Sequence, residues 1–269
     1  DTAKKLGVET RVNSKVIQLV QDKEGRITGV LVQGKHSKLH VLGAKAVIIA
    51  SGGFARNNEL VAKYRADLKG VDATNNPGNV GDALTFATKV GAATVDIKEI
   101  QAFPTAAAGK MVISETARGA GAIMLNNQGK RFCNELDTRD KVSACVWSQT
   151  NKEAWLVFDE TVLDRLGQLR GMLGLGLILK GGTASEISKL SGMDAQSFEQ
   201  SINRYNDFKV KGIDDDFGRK NMADDFKYPI YVVKVKPAVH HTMGGLKINT
   251  KAQVLNDKDQ PIDGLYAAG

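Results

Sequence analysis

Cysteine is nearly absent from the chain: Cys133 and Cys145 are the only two, and they form no CxxC pair. Two such thiols can neither staple a small fold nor build a zinc site, so they read as small, buried or partly buried side chains. Long hydrophobic runs are missing as well. The richest stretches, Ala46 to Ala50 and Met172 to Leu179, fall far short of the roughly 18 uninterrupted apolar residues of a membrane-spanning helix. A basic and then apolar leader is lacking after Asp1, which leaves the compartment unreadable from that end. No repeat at solenoid spacing and no low-complexity linker is found. The net charge of +7 comes from scattered lysines and arginines without an aromatic-basic cluster. That pattern argues against nucleic acid, and an anionic small substrate explains the excess equally well.

What is present suits an ordinary globular protein. With 269 residues, 42% hydrophobic and 25% charged, the chain can bury one large core or two modest ones. Lys15 to Val20 and Ile27 to Gln33 are β-branched runs separated by the charged turn Asp22-Lys23-Glu24-Gly25, a hairpin signal. Ala46 to Ala50 is short and continuously apolar, as expected of a strand covered on both faces, and runs into Ser51-Gly52-Gly53. Asn57 to Lys69 reads as a helix capped by Asn57 or Asn58 and stopped by Gly70, and a second helix is expected from Asp82 to Val90. This is α/β patterning. Near residue 100 it gives way to less regular alternation, with a strand at Ala154 to Phe158 and helices at Ala184 to Leu190 and Asp194 to Lys209. Strands return at Leu246 to Asn249, Gln253 to Leu255 and Leu265 to Ala267. One domain inserted into another is the simplest account.

Several segments carry chemistry, each with a plainer alternative. Ser51-Gly52-Gly53 ends an apolar strand where bare backbone lets a ligand approach, or is only a tight turn. Asn79-Val80-Gly81-Asp82 is a ligand contact or a helix cap. The glycines at Gly174 and Gly176 lack the strand-turn-helix context of a dinucleotide loop and are set aside. Ser114 to Gly119 and Thr138 to Lys141 put Arg118, Arg139 and Glu115 in apolar surroundings, unless the arginines merely pair with Glu115 and Asp140 at the surface. His240 and His241 precede a glycine pair, and adjacent histidines on a strand cannot face one metal, so no metal site is expected.

Taken in order, the runs VIIASGGFARNNE (47–59), TNNPGNVGDAL (74–84), QAFPT (101–105), ISETARGAGA (113–122), NELDTRDK (134–141), HHTMGGLKINTKAQVL (240–255) and GLYAAG (264–269) resemble the soluble fumarate reductase flavoproteins, including the flavocytochrome c type. The resemblance implies an α/β, Rossmann-like FAD-binding domain, here incomplete, at 1–97 and 240–269, interrupted by an α+β capping domain at 98–239. It also implies flavin-dependent reduction of the C=C bond of an α,β-unsaturated carboxylate. Arg139 would be the proton donor, with Glu115 and Arg118 as the relay that reprotonates it. His240 and Ser114 would bind substrate carboxylates, with Glu115 beside them. Val16 would meet the adenine side of FAD through its backbone, Ser51, Gly52 and Gly53 would line the ADP portion, and Asp82 would lie near the flavin. An arginine acid has an ordinary pKa above about 12. Crowding by Arg118 and exclusion of water are expected to lower it.

Three departures from the family pattern matter. The GxGxxG segment and its acidic ribose partner are lacking, and the chain stops before the family's downstream flavin contact and second substrate arginine. FAD binding by residues 1–269 alone is therefore expected to be poor or absent. Phe103 stands where fumarate reductases have a carboxylate-binding histidine. This favours a monocarboxylate such as cinnamate, urocanate or methacrylate over fumarate. A non-catalytic fragment is the alternative, and the Thr138 to Lys141 and His240 to Gly245 runs argue against an L-aspartate oxidase or a ketosteroid dehydrogenase. The electron-donor module, whether haem, FMN or NADH, would lie outside these residues, and a periplasmic location is favoured by resemblance only.

Overall fold

A computed structural model of the chain describes residues 2–108, 111–222 and 225–269. Two compact units emerge: Asp1–Asp67, Pro77–Ile100 and Thr242–Gly269 form the first, Leu68–Asn76 and Gln101–His241 the second. In chain order the first contributes α1 (Thr2–Lys5), β1 (Lys15–Gln21), β2 (Ile27–Gln33), β3 (Leu39–Gly43), β4 (Val47–Ile49), α2 (Asn58–Tyr64), α3 (Asp82–Lys89) and β5 (Thr94–Val95). Then come β6 (Ile100–Ala107), β7 (Met111–Val112), α4 (Glu115–Gly119), β8 (Ile123–Leu125), α5 (Arg139–Trp147) and β9 (Ala154–Asp159). After them lie α6 (Glu160–Arg165), α7 (Gly167–Gly174), β10 (Leu179–Gly181), α8 (Ala184–Ser191), α9 (Ala195–Lys211) and β11 (Ile230–Thr242). The chain ends with β12 (Gly245–Leu246), β13 (Gln253–Leu255) and β14 (Pro261–Ala267).

In the first unit β1, β2 and β3 form an antiparallel sheet, with Lys15 opposite Gln33. The turn between β1 and β2 closes because the Asp22 carboxylate accepts from the backbone N–H groups of Glu24 and Arg26. A second sheet, β13-β14-β4, pairs β14 with β4 in parallel and with β13 antiparallel. Its β4 corrects one expectation. Val47 and Ile49 pack on a core that includes Phe86, Ala87 and Leu265, but Ile48 on the other face is 69% exposed. The strand is apolar on both faces and covered on one, because it lies at the sheet edge. α2 also ends earlier than its sequence suggests. Asn57 caps it as expected, its side chain accepting from the Leu60 N–H at 3.0 Å. Arg65 then leaves helical geometry (φ −141°, ψ 85°), and its guanidinium grips Asp67 at 2.8 and 2.6 Å. The strand expected at Leu246 to Asn249 shrinks to β12 and one isolated bridge from Ile248 to Val254, while β14 starts earlier, at Pro261.

The second unit is a sheet with helices on both faces. Its strand order is β7-β6-β11-β9-β8, with β10 also pairing to β11. Alternation along β9 sends Leu156 and Phe158 into a core with Ala117, Val142, Val146, Leu163 and Leu169. Trp155 and Val157 point the other way, into a core with Ile187, Phe198, Ile202 and Tyr205. Each such side chain contributes roughly 1.5–3 kcal/mol relative to exposure. α9 begins where Asp194 accepts from the Ser197 N–H at 2.8 Å and ends at left-handed Gly212. Among the described residues no helix is long and apolar enough to cross a membrane. Cys133 is buried, Cys145 half-buried, and both are free thiols.

Candidate active site

The second unit gathers the sequence-selected polar residues around one guanidinium. Arg139 is the first residue of α5, where the positive end of the helix dipole works against a cation. Glu115, in the first turn of α4 behind the Ser114 cap, offsets this. Its carboxylate accepts from Arg139 Nε at 2.7 Å and from Nη2 at 2.9 Å, a bidentate pair. The remaining arm, Nη1, donates to Gln101 Oε1 at 2.8 Å. The guanidinium lies 5.0 Å from the centroid of Phe103, within cation–π range. The same ring packs at 46° against His240, centroid to centroid 5.1 Å, and His240 Nδ1 meets Thr74 Oγ1 at 2.7 Å. Phe103 is only 2% exposed, so it forms a floor beneath both the Arg139 guanidinium and the His240 ring. Ser114 Oγ is engaged with Thr116, at 3.3 Å to its N–H and 2.9 Å to its hydroxyl.

Arg118, one turn along α4 from Glu115, is buried and reaches the same carboxylate at 3.4 Å. Its Nη1 donates to the Glu135 carbonyl at 2.6 Å, and its Nε is buried without a partner among the described residues. Behind it sits a network the sequence did not single out. The fully buried Glu135 carboxylate accepts from Arg131 at 2.9 and 3.0 Å and from Arg219 at 3.0 Å. Arg131 also donates to Asp214 at 2.9 Å, and Arg219 donates to the Arg118 carbonyl at 2.7 Å. Glu135 lies inside the 134–141 run and was thereby marked, but nothing local marks Arg131, Asp214 or Arg219. Arg131 pairs locally with Glu135, four residues on, but the contacts that close the network, Arg131 to Asp214 and Arg219 to Glu135, span 83 and 84 residues.

The pairings set the charges. Hydrogen bonds from Arg139 hold the Glu115 carboxyl below the usual range, against its partial burial. The same pairing raises Arg139, opposite to the expectation that Arg118 would lower it: Glu115 is in direct contact and dominates. Burial lowers Arg118. For Arg131, burial opposes the charge, but Glu135 and Asp214 more than offset it and hold its pKa above the ordinary value. His240 is lowered by burial first and by Arg139 second. Two guanidiniums facing one carboxylate leave net positive charge, which suits an anionic ligand.

The cofactor candidates lie in the first unit and form one chain of contacts. Gly81 N–H donates to the Gly53 carbonyl at 3.1 Å, Asp82 follows Gly81 at the start of α3, and its carboxylate pairs with Lys15, beside Val16, at 3.2 Å. Ser51 and Gly52 are exposed. A Cβ on left-handed Gly52 (φ +73°) would come within 2.9 Å of Asn79 Nδ2, and one on Gly53 within 1.8 Å of Thr242 Oγ1. The turn must stay bare backbone, which fits the close approach of a ligand such as a dinucleotide. Among the described residues no cluster of three or more His, Cys, Asp or Glu could hold a metal ion.

A family model described as FAD binding domain matches residues 1–269. The fumarate reductase (cytochrome) of Shewanella frigidimarina is 42% identical over 273 residues, covering 100% of this chain and 48% of that protein. The urocanate reductase of Eggerthella lenta is 33% identical over 270 residues, covering 96% of this chain and 45% of that protein. Among solved structures, the open conformation of a flavocytochrome c3 fumarate reductase superposes with a TM-score of 0.85 at 40% identity, covering 100% of this chain and 48% of that one. The chain thus spans about half the length of these relatives.

Proposed function

The chain belongs to the FAD binding domain family, with FAD as its cofactor, and on that premise we propose that it forms part of the catalytic core of a flavoenzyme reducing the C=C bond of an α,β-unsaturated carboxylate. The second unit is its capping, substrate-binding part. The observation that carries this reading is the fixed Arg139 guanidinium, held by Glu115 and Gln101, stacked on Phe103 and flanked by His240. When bound, FAD supplies a hydride to the β-carbon of the substrate. Val16, Ser51, Gly52, Gly53 and Asp82 would hold it.

His240 takes one substrate carboxylate, and Arg139 delivers its proton to the α-carbon as negative charge builds there. Two hydrogens are thereby added and the C=C bond becomes a single bond. Arg139 is protonated at rest, as an arginine ordinarily is, so the acid is loaded before substrate arrives. Glu115 and Arg118 return the proton afterwards. Ser114 assists a carboxylate once its hydroxyl turns from Thr116.

In the full-length protein, Arg139→Ala should lower kcat by about 10²-fold or more with substrate affinity little changed, as for a group acting in the transition state. Arg139→Lys should restore little, because an ammonium lacks the guanidinium fork. Near wild-type turnover by Arg139→Ala would overturn the reading. The Phe103 floor offers no hydrogen-bond donor, and a carboxylate buried there unpartnered loses several kcal/mol. Fumarate should therefore trail cinnamate, urocanate and methacrylate in kcat/KM, and Phe103→His should raise its relative rate. Fumarate leading by a wide margin in the wild type would remove Phe103 as the selector.

A further inference from the structure

We propose that Thr74 is a positioning residue that fixes the tautomer of His240, so that Nε2 carries the proton and faces the substrate carboxylate. The proposal rests on the reading of His240 as a carboxylate ligand.

Thr74 is placed by the backbone. Ala73 pairs in parallel with Val239 as an isolated bridge, Val239 N–H donates to the Asp72 carbonyl at 2.8 Å, and Thr74 N–H donates to the Val239 carbonyl at 3.0 Å. These bonds set Thr74 beside the strand position that carries His240, and a β-branched side chain has few rotamers to leave by. Its hydroxyl then lies 2.7 Å from His240 Nδ1 and 3.4 Å from the Val239 carbonyl.

A hydroxyl has one proton to give. With the imidazole neutral, the hydroxyl either donates to Nδ1, which requires the ring proton on Nε2, or accepts from Nδ1–H while donating to the Val239 carbonyl; a carboxylate at Nε2 needs a donor there and selects the first. With the ring protonated, Nδ1–H donates to Thr74 Oγ1 and the hydroxyl turns to the Val239 carbonyl. In that neutral form and in the protonated ring Nε2–H is left over, and Nε2 has no protein partner among the described residues. The Phe103 ring braces the imidazole from the side. The groups facing His240 are Arg139 from α5, Glu115 from α4 and His241 on its own strand. Burial and Arg139 both favour the neutral ring, the form in which a tautomer must be chosen.

The test uses full-length protein with Thr74→Val, which keeps shape without the hydroxyl, and Thr74→Ser, which keeps the hydroxyl. Two readouts are taken: the ring-nitrogen NMR signature of 15N-histidine, with His240 identified by its loss in His240→Gln, and kcat/KM against pH. Thr74→Val should lower kcat/KM by about tenfold, mainly through KM, where His240 is neutral. The deficit should shrink as falling pH protonates the ring, because imidazolium carries Nε2–H unaided. Thr74→Ser should recover both the rate and the Nε2–H signature. An unchanged signature in Thr74→Val, or a loss of the same size at every pH, overturns the proposal. If Thr74→Val alters the signature while His240→Gln turns over like wild type, the carboxylate role of His240 falls and the tautomer assignment stands, so the two failures are told apart.

Discussion

Arg139 in the second unit is held from three sides, by a carboxylate, an amide oxygen and an aromatic ring, whereas Ser51 to Gly53 in the first unit turn with scarcely a side chain of their own. One region fixes chemistry by charge pairing and the other fixes shape by leaving atoms out. They should fail differently. Removal of a single charge leaves its buried partners uncompensated, with consequences carried through every ion in contact. Addition of a single carbon to a bare turn produces a local collision, which a second local deletion can relieve.

The charged region should break hardest at Glu135, the hub of its buried network. Arg131 and Arg219 both direct their guanidiniums to this carboxylate, and Arg219 also supports the Arg118 carbonyl. Glu135→Ala in the full-length protein should cost about 3–5 kcal/mol in urea unfolding, the range for stripping one partner from buried ions. Glu135→Gln keeps the shape and should retain much of that loss. A cost under about 1 kcal/mol would mean that the network is not held together by charge, and the contrast between the two regions would lapse.

The regular elements were legible where local pattern and tertiary context agree. β1, β2, β9, α8 and α9 follow their apolar periodicity and caps closely. α2 ended early, where Arg65 leaves helical geometry although the sequence continues as a helix former. The exposed face of β4 could not be read at all, since an apolar strand looks the same whether or not a second layer covers it. In the site, composition left open an ion pair between Arg139 and Asp140, but side chains one residue apart on a helix do not face each other. Both Arg139 and Arg118 instead turn to Glu115. Thr74 and Gln101 lay inside runs that the family resemblance marked, yet their partners depend on chain segments brought together only by folding. The glycines at 52 and 53 announced a constrained turn. The side chains that constrain it, Asn79 and Thr242, were invisible for the same reason.

The glycine turn gives the smaller and more separable effect. Gly53 does not need the left-handed region, as Gly52 does with φ +73°; what it lacks room for is one carbon, 1.8 Å from Thr242 Oγ1 and 3.2 Å from Thr242 Cβ. Gly53→Ala should therefore cost about 1–3 kcal/mol, the range for overpacking. Thr242→Ala alone removes a long hydrogen bond, 3.4 Å from the Phe54 N–H, and should cost under about 1 kcal/mol. In the double variant the nearest obstruction becomes the remaining Cβ, so stability should rise above that of Gly53→Ala alone, a coupling of about 1–2 kcal/mol. Urea unfolding of the four proteins in the cycle measures it. A double variant no more stable than Gly53→Ala would show that the turn is set by something other than the space Thr242 occupies, and the region would no longer stand as shape-held against its charge-held counterpart.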